Sequence, residues 1–216
     1  MQKTIRVPVM EAILDENEKL AQGMNRDFSS KGIFVVNVLG APGAGKTTSI
    51  VNIIENLKDK NVGVIEGDIE SDIDTLKLEA IGIPAQQINT QGACHLDAPV
   101  IAQAADSLKL ADNSLVFIEN VGNLVCPAAF DLGESLKLAV LSAPEGDEKP
   151  LKYPALFKNA QLTVITKSEL AAACRFDIAC AAANIRSINP NAVVIALSVF
   201  EGTGMDAYFN YLLNLL

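Results

Sequence analysis

The sequence lacks the features that mark membrane, secreted and nucleic-acid-binding proteins. No apolar run in its 216 residues approaches the roughly 18–20 residues of a membrane span. The first residues hold no signal-peptide apolar segment. Acidic residues outnumber basic ones, 26 to 17, and a net charge of −9 argues against a basic nucleic-acid-binding patch. We therefore expect a cytoplasmic protein with neither a nucleic acid nor a membrane as partner.

Cysteine and histidine are scarce as well. Four cysteines in a cytosolic chain are more typical of free thiols or metal ligands than of disulfides. The arginines are scattered, so neither the arginine-rich lid of a small-molecule kinase nor an arginine finger is evident. Any nucleotide hydrolysis by this chain is therefore expected to be slow.

Hydrophobic residues, by contrast, make up 50% of the chain, enough for a sizeable core. From residue 32 onward apolar runs alternate with helical patterns, which indicates an α/β fold with a mostly parallel sheet and helices on both faces. The predicted strands are 33–39, 62–66, 85–88, 115–119, 137–142, 162–166 and 193–198. The predicted helices are 46–59, 72–81, 97–109, 154–159, 174–186 and 203–215.

The N-terminal segment has a different pattern. Met10, Ile13, Leu14, Leu20 and Met24 recur at near-helical spacing among charged residues, which predicts an amphipathic helix. We divide the chain into a helical extension, residues 1–31, and a nucleotide-binding domain, residues 32–216. The helix has two interpretations, a partner-binding arm or an element that packs on the same domain.

Residues 40–48, GAPGAGKTT, form a complete phosphate-binding loop between a predicted strand and a predicted helix. Glycines let backbone N–H groups surround an anion, and the helix N-terminus adds partial positive charge. Lys46 would reach the β- and γ-phosphates, and the Thr47 hydroxyl would bind Mg²⁺. This pattern predicts a P-loop NTPase whose phosphate-binding residues are Gly43, Ala44, Gly45, Lys46, Thr47 and Thr48.

Carboxylates follow two other predicted strands. Asp68 closes one strand and Glu119 the other, and both are candidates to orient Mg²⁺ or the attacking water, with Lys46 the third catalytic candidate. Gly122, three residues after Glu119, would place its N–H against the γ-phosphate and respond to its loss. We interpret the neighbouring Glu66 as a solvated turn residue.

Residues 166–169, TKSE, occupy the position of the Asn-Lys-x-Asp motif of guanine-specific enzymes. Glu169 would accept hydrogen bonds from guanine, while the Lys167 stem lies along the ring. Thr166 and Glu169 both depart from that motif, although a glutamate keeps the pair of acceptors. The string SVFEGTG, residues 198–204, resembles the loop that closes over the base, and we favour guanine over adenine.

The only histidine, His95, adjoins Cys94, and Cys126 follows the Glu119–Gly122 loop. Two thiolates and an imidazole suit Zn²⁺ or Ni²⁺ and leave room for a fourth ligand. A core histidine with incidental cysteines is the alternative interpretation. Cys174 and Cys180 lie in an alanine-rich helical segment and are expected to be buried structural thiols.

Six strings together resemble the HypB family of GTPases from about residue 10 onward: GAPGAGKTT (40–48), EGD (66–68), QINTQGACHLD (87–97), FIENVGNLVCP (117–127), FDLGE (130–134) and EGDEKPLKYP (145–154). The resemblance implies a P-loop GTPase that helps to insert nickel into [NiFe]-hydrogenases and dimerises through its nucleotide face. It implies a nickel or zinc site at Cys94, His95 and Cys126.

The implied partners are GTP and GDP, a second copy of the chain, a HypA-type metallochaperone and, indirectly, the hydrogenase large subunit. The Cys-rich N-terminal motif and the His-rich stretch of some members are missing here, so no N-terminal metal store is expected. Two alternatives have different functions: a urease-type nickel-maturation GTPase, and a nickel or zinc storage protein without turnover. Retained metal affinity without nucleotide binding would favour storage.

Overall fold

The computed structural model describes residues 8–57, 60–68 and 73–216. Its strands are β1 (Phe34–Gly40), β2 (Asn61–Asp68), β3 (Ala85–Asn89), β4 (Ser114–Glu119), β5 (Leu136–Ser142), β6 (Leu162–Thr166) and β7 (Val193–Ala196). They form one sheet of order β3-β2-β4-β1-β5-β6-β7, in which every pairing is parallel. All seven predicted strands are present, with ends that differ by at most two residues.

Helices cover both faces of the sheet, as predicted. They are α1 (Pro8–Ser30), α2 (Lys46–Glu55), α3 (Ile73–Ala80), α4 (Ala98–Leu108), α5 (Lys149–Lys152), α6 (Pro154–Asn159), α7 (Ala171–Cys174), α8 (Ile178–Ile188) and α9 (Met205–Leu213). Residues 1–7 of the predicted extension, 58–59 of the predicted helix 46–59 and 72 of the predicted helix 72–81 lie outside the described residues.

The predicted helix over 174–186 is replaced by two helices. Arg175 adopts a left-handed backbone, with φ of 54°, and this conformation ends α7. Asp177 then begins α8 by accepting a hydrogen bond from the Cys180 backbone N–H. A capping carboxylate satisfies one of the unpaired N–H groups of a helix start, so the break is built into the sequence.

The core has a layer on each face of the sheet. Alternate β1 residues point to opposite faces: Val36 and Val38 join the cluster that contains α2 and α9. On the other face the apolar residues form two clusters. One contains Val35 and residues of α1 and α4, and the other contains Leu39 and residues of α6 and α8. Asn37 lies between Val35 and Leu39 on this divided face and is fully buried.

The N-terminal helix α1 packs on the same core as the sheet. Ala21 and Met24 belong to the cluster that contains α4. The Asn17 side chain donates to the Asp131 carbonyl at 2.8 Å and accepts from the Ala98 N–H, at the start of α4, at 2.7 Å. Of the two interpretations of this helix, the described contacts match packing on the domain. The boundary at residue 31 stays a prediction.

Parallel pairing sets the position of the sites. In the sheet register, Val38 of β1 is opposite Glu119 of β4, and Glu66 of β2 is also opposite Glu119. The carboxyl ends of three adjacent strands therefore meet at one edge, where ligands bind in open α/β sheets. Among the described residues, no helix combines the length and the apolar character that crossing a membrane requires.

Replacing Met24 with alanine should lower the free energy of unfolding by about 2–5 kcal/mol, since this side chain is only 8% exposed against the core. The matched control is Leu20→Ala on the same helix, because Leu20 is 41% exposed and should change stability by about 0.5 kcal/mol or less. Urea unfolding measures both. Equal losses in the two variants would contradict the packing of α1 on the core.

Candidate nucleotide and metal sites

The phosphate-binding loop joins β1 to α2. Gly43 and Gly45 have φ of 71° and 93°, values that favour glycine, and Gly45 occupies the position before the first turn of α2. The Lys46 side chain is buried and its Nζ lies 3.4 Å from the Ala41 carbonyl oxygen of the same loop. The loop therefore has the backbone shape and the cation that an anionic phosphate group requires.

Glu119 joins this loop to β4. Its Oε1 accepts a hydrogen bond from Thr47 Oγ1 at 2.9 Å and lies 3.8 Å from Lys46 Nζ. Gly122 approaches the loop so closely that a Cβ on it would lie 2.8 Å from Pro42 Cγ. The segment 119–122 thus contacts the phosphate-binding loop at both its ends.

A cavity of about 770 Å³ opens at this edge, within the range of small-molecule sites. Its lining includes Gly43, Gly45, Lys46, Thr47, Thr48, Asp68, Glu119, Gly122, Lys167 and Val199. Glu66 lines it too, and the interpretation of Glu66 as a solvated turn residue is wrong. Glu66 is 3% exposed and accepts a hydrogen bond from the Thr75 hydroxyl of α3. The error arises because β2 continues to Asp68, so that Glu66 lies within the buried strand and not in a turn after it.

Residues 166 and 167 contact the phosphate-binding loop from the β6 side. Thr166 Oγ1 donates to the Ala44 carbonyl at 2.6 Å, and Lys167 Nζ donates to the Gly43 carbonyl at 2.8 Å. Glu169 follows in a 3₁₀ turn, Ser168–Leu170. Its Oε2 is buried and has no hydrogen-bond partner among the described residues. Glu169 is not among the residues that line the cavity.

The three predicted metal ligands come together. Ligand atoms of Cys94, His95 and Cys126 all lie within 4.8 Å of one another, and Cys94 Sγ is 3.5 Å from His95 Nδ1. A tetrahedral site with metal–sulfur and metal–nitrogen distances of about 2.3 and about 2.0 Å has a sulfur–nitrogen edge of about 3.5 Å. The donor set and its spacing therefore fit a thiolate-rich site for Zn²⁺ or Ni²⁺.

Local contacts shift two of these groups. A hydrogen bond with Cys126, together with burial and repulsion between the two sulfurs, raises the pKa of Cys94. Burial lowers the pKa of His95, although Asp97 acts in the opposite direction. The imidazole is thus neutral over a wider pH range, in the form that binds metals.

Two residues next to this cluster were missed by reasoning on single residues. The His95 ring stacks on Phe130, with ring centroids 3.9 Å apart and an interplanar angle of 24°. Asn123 Nδ2 donates to the Cys94 carbonyl at 3.2 Å. Both residues belong to the strings 117–127 and 130–134 that carried the resemblance, and that was the available signal.

The expectation for the other two cysteines is wrong. Cys174 and Cys180 are exposed thiols, not buried structural ones. The reason is the break at Arg175, which leaves Cys174 at the end of a four-residue helix and Cys180 in the first turn of the next. Alanine enrichment alone did not indicate which helix face would be covered.

A strand, a glycine loop and a helix, with a carboxylate at the end of the adjacent strand, define a P-loop NTPase. The family model for the CobW/HypB/UreG nucleotide-binding domain matches residues 34–196. Hydrogenase maturation factor HypB of Escherichia coli K12 is 46% identical over 201 residues, which cover 93% of this chain and 69% of that protein. The chain belongs to the HypB family.

Other relatives agree. The hydrogenase/urease maturation factor HypB of Helicobacter pylori 26695 is 36% identical over 96% of this chain and 87% of its own length. The crystal structure of HypB from Archaeoglobus fulgidus superposes with a TM-score of 0.87 at 36% identity, covering 93% and 98% of the two chains. The structure of Helicobacter pylori HypB in complex with nickel gives 0.86 at 34% identity, covering 92% and 94%.

Metal affinity should rise with pH, because each thiol must lose its proton before its sulfur can act as a ligand. With its pKa raised, Cys94 holds its proton to a higher pH, so the rise should continue until pH exceeds that pKa. The expected slope is about tenfold per pH unit for each proton displaced. Zn²⁺ titrations against a chelator, from about pH 6 to about pH 9, measure it. An affinity independent of pH would contradict thiolate ligation.

Proposed function

We propose that this chain is a GTP-hydrolysing metallochaperone that delivers nickel during [NiFe]-hydrogenase maturation. One observation carries the proposal. The segment 119–122 lines the nucleotide cavity, and four residues later the same chain supplies Cys126 to the three-residue cluster. A change at the γ-phosphate therefore has a short covalent path to a metal ligand.

Residues of the cavity have assigned roles in this proposal. Thr47, Asp68 and Glu119 would hold Mg²⁺, which neutralises charge that develops on the phosphates when it is bound. The contact between the Thr47 hydroxyl and Glu119 supports a shared ion, since both oxygens already lie side by side. Lys46 lies across the loop to pair with the phosphates, and Glu119 or Asp68 orients the attacking water. Gly122 reports the loss of the γ-phosphate through its contact with Pro42.

Guanine selectivity is assigned to Thr166, Lys167 and Glu169. The two hydrogen bonds to Ala44 and Gly43 fix this segment against the phosphate-binding loop, so its position follows that of the nucleotide. In this proposal the Oε2 of Glu169, which is buried and has no hydrogen-bond partner among the described residues, accepts hydrogen bonds from the N–H donors of guanine. A buried acceptor without a donor is costly, which favours a base that provides one.

Nickel is the cargo of Cys94, His95 and Cys126 in this proposal, and zinc is the competing ion. Three protein ligands leave one coordination position open, through which an ion can be exchanged with a partner. The relative from Helicobacter pylori was solved as a nickel complex, which supports the choice of metal. The relative from Helicobacter pylori 26695 is named a hydrogenase/urease maturation factor, so a urease client is the alternative in the same class.

The proposal extends to assembly. Residues 32–216 would form the GTPase domain and residues 1–31 its helical extension. A homodimer through the nucleotide face, a HypA-type chaperone and, indirectly, the hydrogenase large subunit would be partners of a cytoplasmic protein. Neither a nucleic acid nor a membrane is required.

Glu169→Gln should weaken GTP binding tenfold or more, since an amide N–H would replace an acceptor and leave a buried mismatch of about 1–3 kcal/mol. ATP affinity should stay unchanged, and Glu148→Gln, an exposed carboxylate elsewhere, serves as control. Competition binding with GTP and ATP provides the measurement. If the wild-type protein binds both nucleotides equally, the guanine assignment is wrong.

Nucleotide state should change metal affinity by about 5–150-fold, the usual range for coupled sites. Ni²⁺ and Zn²⁺ are titrated into the GDP-bound and GTP-analogue-bound protein. By linkage, each metal should change the ratio of GDP to GTP affinity by the same factor.

Cys126→Ala should weaken metal binding and remove the dependence of metal affinity on the bound nucleotide. Cys180→Ala, which changes an exposed thiol outside the cluster, should leave the affinity and its nucleotide dependence intact. Metal bound with equal affinity in both nucleotide states would support storage over delivery.

Lys46→Ala should abolish triphosphate binding without unfolding the chain.

A further inference from the structure

The metal cluster is assembled from two separate segments of chain. Cys94 and His95 precede α4, whereas Cys126 follows β4. A side-chain hydrogen bond, from Asn123 to the Cys94 carbonyl, connects the two segments. The stack of His95 on Phe130 is a second contact between them. Phe130 is 4% exposed, so its ring is fixed in the interior, whereas His95 is partly exposed.

We propose that Phe130 is a positioning residue that holds the His95 imidazole in the metal site. The position of Phe130 is in turn set by the segment 119–122, through Glu134. This inference rests on the proposed function, because it assigns a role toward the same metal cargo. A histidine ring can rotate about two side-chain bonds, and stacking on a fixed ring removes much of that freedom before a metal arrives. The Nδ1 atom of the ring then stays beside the Cys94 thiol.

Glu134 lies at the other end of the segment that begins with Phe130. Its Oε2 accepts from the Leu132 N–H at 2.6 Å, which folds the segment back on itself. Its Oε1 accepts from Asn37 Nδ2 at 3.3 Å, and Asn37 Oδ1 accepts from Asn120 Nδ2 at 3.2 Å. Asn120 directly follows Glu119, so three hydrogen-bonded side chains lead from the nucleotide loop to the segment 130–134.

This connection lies in the polar seam, Asn37, Asn120, Glu134 and Lys137, between the two apolar clusters of the divided sheet face. Leaving a buried polar group without its hydrogen-bond partner costs free energy. The side chains of this seam therefore move together. Lys137 pairs with Glu134 at 3.4 Å and with Asp131. Burial acts to lower the pKa of Lys137, but the two carboxylates outweigh it and raise it, so the ion pairs persist at neutral pH.

Helix α1 fixes the segment from behind. Asn25 Nδ2 donates to the carbonyls of Gly133 and Glu134, and Asn17 Nδ2 donates to that of Asp131. A Cβ on Gly133 would lie 2.9 Å from Met24 Cβ, so the segment passes directly against the helix. Because α1 blocks movement of the segment 130–134 in its direction, a displacement of Asn120 is transmitted to Phe130. The route is independent of the covalent path from Gly122 to Cys126.

Proton NMR provides the first test, because His95 is the only histidine and its ring signals are unambiguous. In the wild-type protein these signals should be displaced by the ring current of Phe130. Exchange of GDP for a GTP analogue should move them again. In Glu134→Gln the response to nucleotide should shrink, while the control Glu148→Gln keeps it. Undisplaced His95 signals, or an unchanged response in Glu134→Gln, would overturn the proposal even if no Phe130 variant folds.

Metal titration provides the second test. Phe130→Leu should bind Ni²⁺ and Zn²⁺ 10–100-fold more weakly, the usual loss when a residue that orients a metal ligand is removed. The stoichiometry and the sulfur-to-nickel charge-transfer band should remain. Phe130→Tyr keeps the ring and should retain the affinity, and Phe176→Leu, another buried phenylalanine, is the control for a generally loosened core.

The outcomes separate this inference from the proposed function. A wild-type protein that binds neither metal contradicts the metal-delivery function itself. Wild-type binding together with equal binding by Phe130→Leu contradicts only the role of Phe130. Equal weakening in Phe130→Leu and Phe176→Leu also overturns that role, because it would show a loss of packing without specificity for His95.

Discussion

The parallel pairing of β1 with β4 is the constraint on which both sites depend. It places the loop after β1 beside the loop after β4, so that Glu119 meets Thr47 and Lys46 at a single edge of the sheet. Parallel strands require long crossovers, and these crossovers become the helices that bury both sheet faces. The loops at the carboxyl ends of the strands are not part of this packing, and they hold the functional side chains. Nucleotide and metal residues share these loops because the topology brings them together.

Much of this arrangement could be predicted from the sequence, because strongly periodic patterns indicate helices and strands without knowledge of tertiary contacts. The apolar run of β1, followed by glycines and Lys46, fixes a strand, a loop and a helix at once. Parallel topology then places Asp68 and Glu119 near that loop without further information. The cluster of Cys94, His95 and Cys126 followed from the same reasoning, because each residue comes after a predicted strand.

The remaining features depend on contacts between distant segments, which local patterns do not encode. The interpretation of Glu66 as solvated is wrong because its buried hydrogen-bond partner, Thr75, comes from α3. Without knowledge of that partner, a charged residue near a strand end is expected to face solvent. Cys174 and Cys180 were misjudged because one left-handed residue, Arg175, divides a helix that composition would make continuous. The stack of Phe130 on His95 joins residues 35 positions apart, and no periodicity reports such a pair.

The polar seam has a consequence for the cooperativity of the fold. An apolar layer normally binds the helices of one sheet face into a single unit, but Asn37 and Lys137 divide this layer into two. The helices α1 and α4 then form one local unit, and α6 and α8 another, while the undivided layer of α2 and α9 holds the sheet itself. Units with separate cores can open separately at less than the global free energy of unfolding. In amide hydrogen exchange the two sides of the seam would therefore acquire deuterium as distinct groups. The helices on the two sides of the seam would then open independently of each other on one shared sheet.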